Sequence, residues 1–380
     1  MARTWNTRMR AWAIVGLVAV LQAACAVGPS YRPPPVTVPD QWAGLSAAAG
    51  GAASVATPGE AAVTEWWQAF HDPTLNLLVT QAVQANLGLQ QARARILQAR
   101  AARVGAGAGS WPTVDATLSN STSASPANST TGTVSTRRNL SQAGLDAAWE
   151  LDFFGGVRRG IEAATANLQA AVEDARDVMV TLTAEVAFDY ITLRGLQQQI
   201  AIAQQNLEAQ RETADITRKR LSVGFVSALD VANAEAQVAT TQSQIPLLEA
   251  AAQQEIFTLS VLLGQEPRAL VGQLATAGAI PPVPPSVPVG LPSELLQRRP
   301  DIRRAEAQLH AATAEIGVAK ADLFPKISLT GSAGAERLSQ GALAALAGAF
   351  WSVIPALTQP IFNAGKIRAN IRAQDRKSVV

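Results

Sequence analysis

The pattern running from Leu89 to Thr117 occurs a second time from Ile302 to Thr330, and this internal repeat constrains the fold more than any single residue does. Ala92, Ala94, Ala99, Ala106 and Ala108 of the first copy recur as Ala305, Ala307, Ala312, Ala319 and Ala321 of the second. Each copy is an Ala-rich helical stretch that stops at an aromatic-Pro pair, Trp111-Pro112 or Phe324-Pro325, and passes into alternating apolar and polar residues. The expectation is a helix feeding a strand, twice over. Further on, Gly155, Val157, Arg158, Ile161 and Ala163 match Gly365, Ile367, Arg368, Ile371 and Ala373, so a helix resumes after each β-hairpin. The second copy reaches Val380 soon after that helix begins and reads as incomplete.

Between the copies, residues 157–221 contain no proline and would span about 97 Å as one helix at 1.5 Å per residue. Along them Met179, Leu182, Val186, Leu193, Leu196, Ile200, Ala203, Leu207, Ala214 and Leu221 keep a 3,4 spacing, interrupted chiefly by Asp189, Gln210 and Thr217. That is a coiled-coil seam. A second seam through Val231, Ala234, Val238, Ile245 and Leu248 predicts an antiparallel helical hairpin with its tip at Ser222 to Ser227. The first helix is expected over Thr74 to Val104, and the Gly- and Pro-rich run from Gly264 to Pro292 reads as a non-helical belt before helix resumes at Pro300-Asp301. Of the residues, 48% are hydrophobic but only 5% aromatic, which suits Ala-rich, closely packed long helices better than a Phe-rich globular core.

Four strands are expected. Val114, Ala116 and Leu118 alternate with Thr113, Asp115, Thr117 and Ser119; Leu145, Ala147, Trp149 and Leu151 alternate with polar and small residues. Ile327 and Leu329 begin the third, and Phe350 to Phe362, with Pro355 inside it, is the fourth and least regular. Asn120 to Asn139 and Ser332 to Leu346 read as surface connections, where the N-x-S/T sequences at Asn120 and Asn128 reflect Ser/Thr richness.

The N-terminus carries Arg3, Arg8 and Arg10, an apolar run from Ala11 to Leu21, and small residues before Cys25. This is a secretory signal, too short to span a membrane. Cys25 is the only cysteine, so no internal disulfide is possible, and its position after the signal points to lipid attachment. The alternative is an unmodified cysteine beside an ordinary cleavage site, since Gln22 stands where a lipoprotein signal carries Leu. The expected organisation is a signal peptide (1–24), an extended periplasmic segment (25–65), a first repeat (66–299) and a second, incomplete repeat (300–380).

Several chemistries are excluded. Lys plus Arg at 31 against Asp plus Glu at 29 gives no basic character to attract nucleic acid. Gly105, Gly107 and Gly109 follow a helix and precede a strand, the reverse of a dinucleotide-binding loop, and are expected to loosen the helix where it enters the sheet. His71 and His310 lie beside no sequence-adjacent Cys, His or carboxylate set, which leaves no metal site or Cys/His nucleophile. Asp146, Glu150 and Asp152 are expected on one strand face, lining water rather than forming a catalytic group. Four strands cannot close a barrel and open edges are not tolerated in hydrocarbon, so several copies must pool their strands. The fold class is therefore read as an α+β membrane protein, a long helical coiled-coil periplasmic portion plus four transmembrane β-strands contributed to an oligomeric β-barrel; a soluble periplasmic helical protein with two small hairpins stays open, because short alternating strands are a weak signal.

Specific strings carry a resemblance. Cys25-Ala-Val-Gly-Pro-Ser-Tyr-Arg-Pro, Trp149-Glu-Leu-Asp-Phe-Phe-Gly-Gly, Leu295-Leu-Gln-Arg-Arg-Pro-Asp-Ile-Arg, Gly317-Val-Ala-Lys-Ala-Asp-Leu-Phe-Pro-Lys-Ile-Ser-Leu-Thr-Gly and Pro360-Ile-Phe-Asn-Ala-Gly-Lys-Ile-Arg are similar to signatures of TolC-like outer membrane efflux proteins. The similarity is to their lipoprotein, nodulation-T type branch, which serves resistance-nodulation-division pumps. The resemblance implies a homotrimer with a twelve-stranded barrel in the outer membrane lipid and a periplasmic helical tunnel. That tunnel would dock onto a periplasmic adaptor (membrane fusion) protein and an inner-membrane resistance-nodulation-division pump. It implies a passive exit duct for drugs and other small amphipathic compounds, with no cofactor and no enzymatic activity.

With that orientation, Cys25 is the expected lipidation site and the hairpin tip the expected adaptor contact: Leu221, Ser222, Val223, Gly224, Phe225, Val226, Ser227, Leu229 and Asp230. Members of the family continue past the position of Ile371 into a second long hairpin, whereas Arg376-Lys-Ser-Val-Val does not resemble family sequence, so a truncated or frameshifted product, impaired in efflux, is expected. Two other readings remain open: a structural periplasmic coiled-coil lipoprotein without a pore, and a channel for secreted polypeptides.

Overall fold

The computed structural model describes residues 26–35, 38–39, 54–56, 65–125, 136–284, 287–289, 291–340 and 346–377. Cys25, the signal segment and Asn128 lie outside them. In chain order the elements are β1 (Ser54–Ala56), a 3-10 turn (Trp66–Phe70), α1 (Pro73–Ala85), α2 (Leu87–Ala108), β2 (Thr113–Ser125), β3 (Thr136–Leu151), α3 (Gly156–Ser222), α4 (Ala228–Leu262), α5 (Val271–Leu274), β4 (Val287–Val289), α6 (Pro292–Arg298), α7 (Pro300–Ala321), β5 (Lys326–Gln340), β6 (Leu346–Thr358) and α8 (Lys366–Lys377). They fall into two compact units, one of residues 1–35, 96–171 and 304–380, the other of residues 36–95 and 172–303.

In the second unit, α1 begins where Asp72 Oδ1 accepts from the backbone of Thr74 (2.8 Å) and Leu75 (3.0 Å), with Pro73 in the first turn. The single helix expected over Thr74 to Val104 is two. Asn86 leaves helical geometry at ψ 126°, and its side chain accepts from Leu89 N (2.9 Å) while donating to Leu262 O (2.9 Å). One side chain thus caps a new helix and ties it to α4, an outcome no helix period could reveal. Leu75, Leu78 and Val79 of α1 pack with Val186, Tyr190 and Leu193 of α3, Ile256 and Leu259 of α4, and Leu263, Leu270 and Leu274 beyond it. Each such side chain, fully buried, contributes roughly 1.5–3 kcal/mol.

Polar bonds close the belt over this core. Tyr190 donates to Asp72 Oδ2 (2.9 Å), the Arg194 guanidinium sits 5.0 Å over the Tyr190 ring and donates to Thr276 O (2.9 Å), and Gln197 donates to Leu274 O (2.8 Å). The belt, expected to be non-helical, contains the single turn of α5, and its β4 pairs in parallel with β1.

In the first unit, helix packing rests on small residues. Ala163, Ala166 and Ala170 of α3 and Ala311, Ala314 and Ala319 of α7 are buried. Gly105 and Gly107 do not interrupt α2, which continues to Ala108 before Ser110 N and Trp111 N close a turn onto Gly107 O and Ala108 O. The helix-to-strand change therefore falls at Gly109 to Pro112.

The sheet has the order β2-β3-β5-β6, antiparallel throughout. Its strands extend further than their apolar alternation: β2 runs to Ser125, β3 begins at Thr136, β5 reaches Gln340, and β6 occupies Leu346–Thr358 rather than Phe350 to Phe362. Ladder hydrogen bonds are made by the backbone, so Ser/Thr arms pair without an apolar signal. Within one chain Pro355 lies in an edge strand, where its missing N–H leaves the pairing with β5 intact.

Candidate functional site

Near the helix-proximal end the register gives the sheet two unlike faces, while toward the distal end Leu140 and Leu338 share the polar face and Arg337 the apolar one. Val114, Ala147, Gly331 and Val353 stand in one cross-strand row, and Ala116, Leu145, Ala333 and Trp351 in another on the same face. Trp351 is 79% exposed in the single chain. On the opposite face Asp115, Asp146, Ser332 and Ser352 form one row, and Ser119, Gln142, Glu336 and Gly348 another. There Thr117 donates to Asp146 Oδ2 (2.8 Å), Gln142 to Glu336 Oε2 (3.1 Å), and the Ser332 and Ser352 hydroxyls lie 2.7 Å apart. Asp115 directly opposite Asp146 is a like-charge pair, destabilising in itself and tolerable only where water screens it. One face therefore suits lipid and the other water.

Among the described residues both edges of this sheet are open: β2 pairs only with β3, and β6 only with β5. An unpaired backbone row of this length in hydrocarbon would cost several kcal/mol per group. Because β2 and β6 run antiparallel to each other, β6 of one copy can continue onto β2 of the next with the same ladder type.

Asp146 and Glu150 share the polar face as expected, but Asp152 does not. It lies past the end of β3 and turns into the start of α3, where Oδ2 accepts from Arg158 N (2.9 Å) and Nε (3.3 Å). The strand ends one residue before it, and the unmet N–H groups of the new helix draw its carboxylate. The expected trio of carboxylates is thus a pair and a helix cap.

At the hairpin, Leu221 and Ser222 form the last turn of α3, Val223 to Val226 the reversal, and Ser227 the N-cap of α4, with Leu229 and Asp230 in its first turn. Gly224 makes the turn at φ 82°, its N–H donating to Leu221 O (2.9 Å), and Phe225 N donates to Arg220 O (3.0 Å). Ser227 N and Oγ both donate to Asp230 Oδ2 (2.8 and 2.7 Å), and Asp230 N returns a bond to Ser227 Oγ (3.3 Å). Hydrogen bonds from the Ser227 side chain and backbone hold the Asp230 carboxyl below the usual range. Arg218 clamps the two helices through Glu235 (2.8 Å) and Asp215 (2.7 Å). This rigid base presents Val223, Phe225 and Leu229 to solvent, Phe225 at 82% exposure.

A third constellation was not expected. Residues 26–32 lie as a strap on the first unit: Val27 N donates to Phe154 O (3.0 Å), Arg159 reaches Ser30 Oγ (3.2 Å), and the Tyr31 ring stacks on His310 at 4.6 Å. His310 Nε2 lies 3.0 Å from Glu162, which also accepts from Arg159 (2.7 Å). Burial works to raise the Glu162 carboxyl, yet hydrogen bonds from His310 and Arg159 bring it below its ordinary value. Burial and the adjacent Glu306 push the Tyr31 phenol up to about 12. His310 thus does have a carboxylate partner, but one distant in sequence. The one signal for it was the Gly-Pro-Ser-Tyr-Arg string after Cys25, which gave no hint of where it docks. Among the described residues no group of three or more His, Cys, Asp or Glu could hold a metal ion.

The chain is similar to several known proteins. The chain is 34% identical over 366 residues to "Nodulation protein T" of Rhizobium leguminosarum bv. trifolii, covering 95% of this chain and 75% of that one. It is 36% identical over 358 residues to "Pyoverdine export outer membrane protein OpmQ" of Pseudomonas aeruginosa, covering 92% and 72%. The solved outer-membrane channel OprN superposes with a TM-score of 0.83 at 36% identity, covering 93% of this chain and 78% of that one. The family description "Outer membrane efflux protein" matches residues 78–265 and 291–379, so a sheet with one lipid-suited face and open edges, fed by two repeats of helix and strand, has its explanation: this chain belongs to the outer membrane efflux protein family.

Proposed function

We propose that this outer membrane efflux protein is the passive exit duct of a tripartite pump, carrying drugs and other small amphipathic compounds outward and performing no covalent chemistry. The observation that carries the reading is the four-stranded sheet, in which the rows through Val114 and Ala116 are apolar on one face, the rows through Asp115 and Ser119 are polar on the other, and both edges are unpaired among the described residues. A pool of such sheets from a homotrimer gives a closed barrel of about twelve strands with a wet interior. Pyoverdine, the export cargo named for the Pseudomonas aeruginosa relative, is consistent with small-molecule cargo. Energy for transport comes, on this reading, from an inner-membrane resistance-nodulation-division pump reached through a periplasmic adaptor that grips the exposed tip at Leu221 to Asp230.

Anchoring is assigned to an acyl group on Cys25, with residues 66–299 and 300–380 as the two repeats. The strap supports this reading, because Ala26, the next residue after Cys25, packs against Gly155 at the start of α3. The mass of the mature N-terminal peptide tests it; an unmodified terminus starting beyond Cys25 removes the anchor.

Single-channel recording of the purified protein in planar bilayers, paired with drug susceptibility of a strain lacking its own outer membrane duct, tests the duct. Discrete conductance steps are expected, and any gain in resistance measures how far drugs pass through the duct. A folded, membrane-inserted protein that conducts nothing would leave the scaffold reading instead.

A further inference from the structure

The seam of α3 is broken at Asp189, and that carboxyl lies inside the helix pair. The residue is 8% exposed, and its Oδ2 is shielded from solvent with no hydrogen-bond partner. It shares the buried stripe of Val186, Tyr190 and Leu193, positions that otherwise fill the core between α1, α3 and α4. The charged groups facing it are both acidic: Glu185 on its own helix and Glu255 on α4. Further along α3, Arg194 Nη1 is directed at Gln197 (2.8 Å) and Thr276 O and its guanidinium lies over the Tyr190 ring; its Nε is unpartnered, but the charges that act on Asp189 are those of Glu255 and Glu185. Among the described residues no cap, belt contact or strand pairing uses the Asp189 carboxyl. A Leu here would complete the seam, so an unpaired carboxylate is a cost without a structural return at neutral pH.

We propose that Asp189 is a proton-binding site that makes the α3–α4 pairing tighter in acid than at neutral pH. The protonated carboxyl is neutral and carries its own donor, so its burial becomes cheap and the repulsion from Glu255 and Glu185 vanishes. Burial, then the charges of Glu255 and Glu185, push this carboxyl up to about 6, while burial also raises Glu255. In the unfolded chain an Asp titrates near 3.9. The folded pair therefore holds the extra proton between roughly pH 4 and pH 6, and its stability falls as pH rises through that window to a lower plateau above it. This does not depend on conduction: a chain that forms no pore still titrates.

Hydrogen–deuterium exchange of the full chain in lipid nanodiscs, at about pH 5 and about pH 7.5 and corrected for the intrinsic rate of amide exchange, reads the effect. Opening of residues 182–196 and 252–263 should be about tenfold rarer at the lower pH, the ratio expected from the linkage between the two titrations. The segment around Gly224 should respond little. Asp189→Asn, which cannot ionise, should flatten the difference and protect both segments at either pH, and Asp189→Leu should do the same. A wild-type chain with no pH difference in these segments, or an Asp189→Asn chain that keeps the full difference, overturns the proposal. Should either variant fold poorly, the other and the wild-type comparison still decide it.

Discussion

Gly155 and Gly365 hold the same place in the two repeats, and both adopt φ 83° at the start of the helix that follows a hairpin. An L side chain in that region costs about 1–2 kcal/mol. At Gly365 an added Cβ meets nothing within 4 Å, but at Gly155 it would come within 2.6 Å of the Ala26 Cα. Gly155→Ala should therefore lower the thermal midpoint more than Gly365→Ala and also release the strap. Chymotryptic cleavage after Tyr31 reads the release directly. Equal midpoints, with Tyr31 protected in both variants, would show that the strap does not rest on this contact. The repeat made both glycines legible in the sequence, because each precedes a matching Val or Ile and Arg. The strap itself was not legible: Tyr31 bonds Glu306 across 275 positions, and no local period encodes such a contact.

At the scale of elements, the long helix was readable almost to the residue. It was expected over 157–221 and found as Gly156–Ser222, since a long 3,4 seam without proline, interrupted only at single positions such as Asp189, leaves the backbone no competing choice. The strand arms beyond Asn120 and Ser332 were not readable, because Ser and Thr alternate with nothing and the ladder forms through the backbone. The hairpin tip was read correctly in position but not in chemistry. Its Ser227–Asp230 capping box and Arg218 clamp make a stiff base, so Val223, Phe225 and Leu229 are displayed rather than collapsed. If this display is the adaptor contact, photocrosslinkers placed at Ser222 and Ser227 should capture the adaptor in cells, and Phe225→Ala should weaken capture by removing a large exposed apolar anchor. Capture from the Ser/Thr-rich arm near Asn120 with none from the tip would reverse the assignment.

For the whole molecule, the repeat supplies a template for contacts that one chain cannot make with itself. Within the chain, Gly156 at the start of α3 packs against Ala321 at the end of α7, an added Cβ there lying 3.2 Å from Ala321 Cβ, and Phe154 stacks on Phe324 at 4.8 Å. In the other half of the repeat the matching positions are Lys366 at the start of α8, Ala108 at the end of α2, and Trp111 in place of Phe324. Those surfaces are bare: Ile361 is 90% and Phe362 89% exposed, and Leu97, Val104 and Trp111 are exposed as well. The sheet edges ask for a second copy at the same place, since β6 leads into α8 and α2 leads into β2. A neighbour that continues the sheet from β6 to β2 would bring its α2 against α8, reproducing between copies the packing seen once within a copy. Cysteines introduced together at Lys366 and Ala108 should accordingly form disulfides between chains on mild oxidation, giving covalent trimers on a denaturing gel, while either cysteine alone should give none. Monomers carrying a 366–108 bond inside one chain, or no bond in protein shown to be inserted in membranes, would mean that the copies do not join by the repeat's own packing.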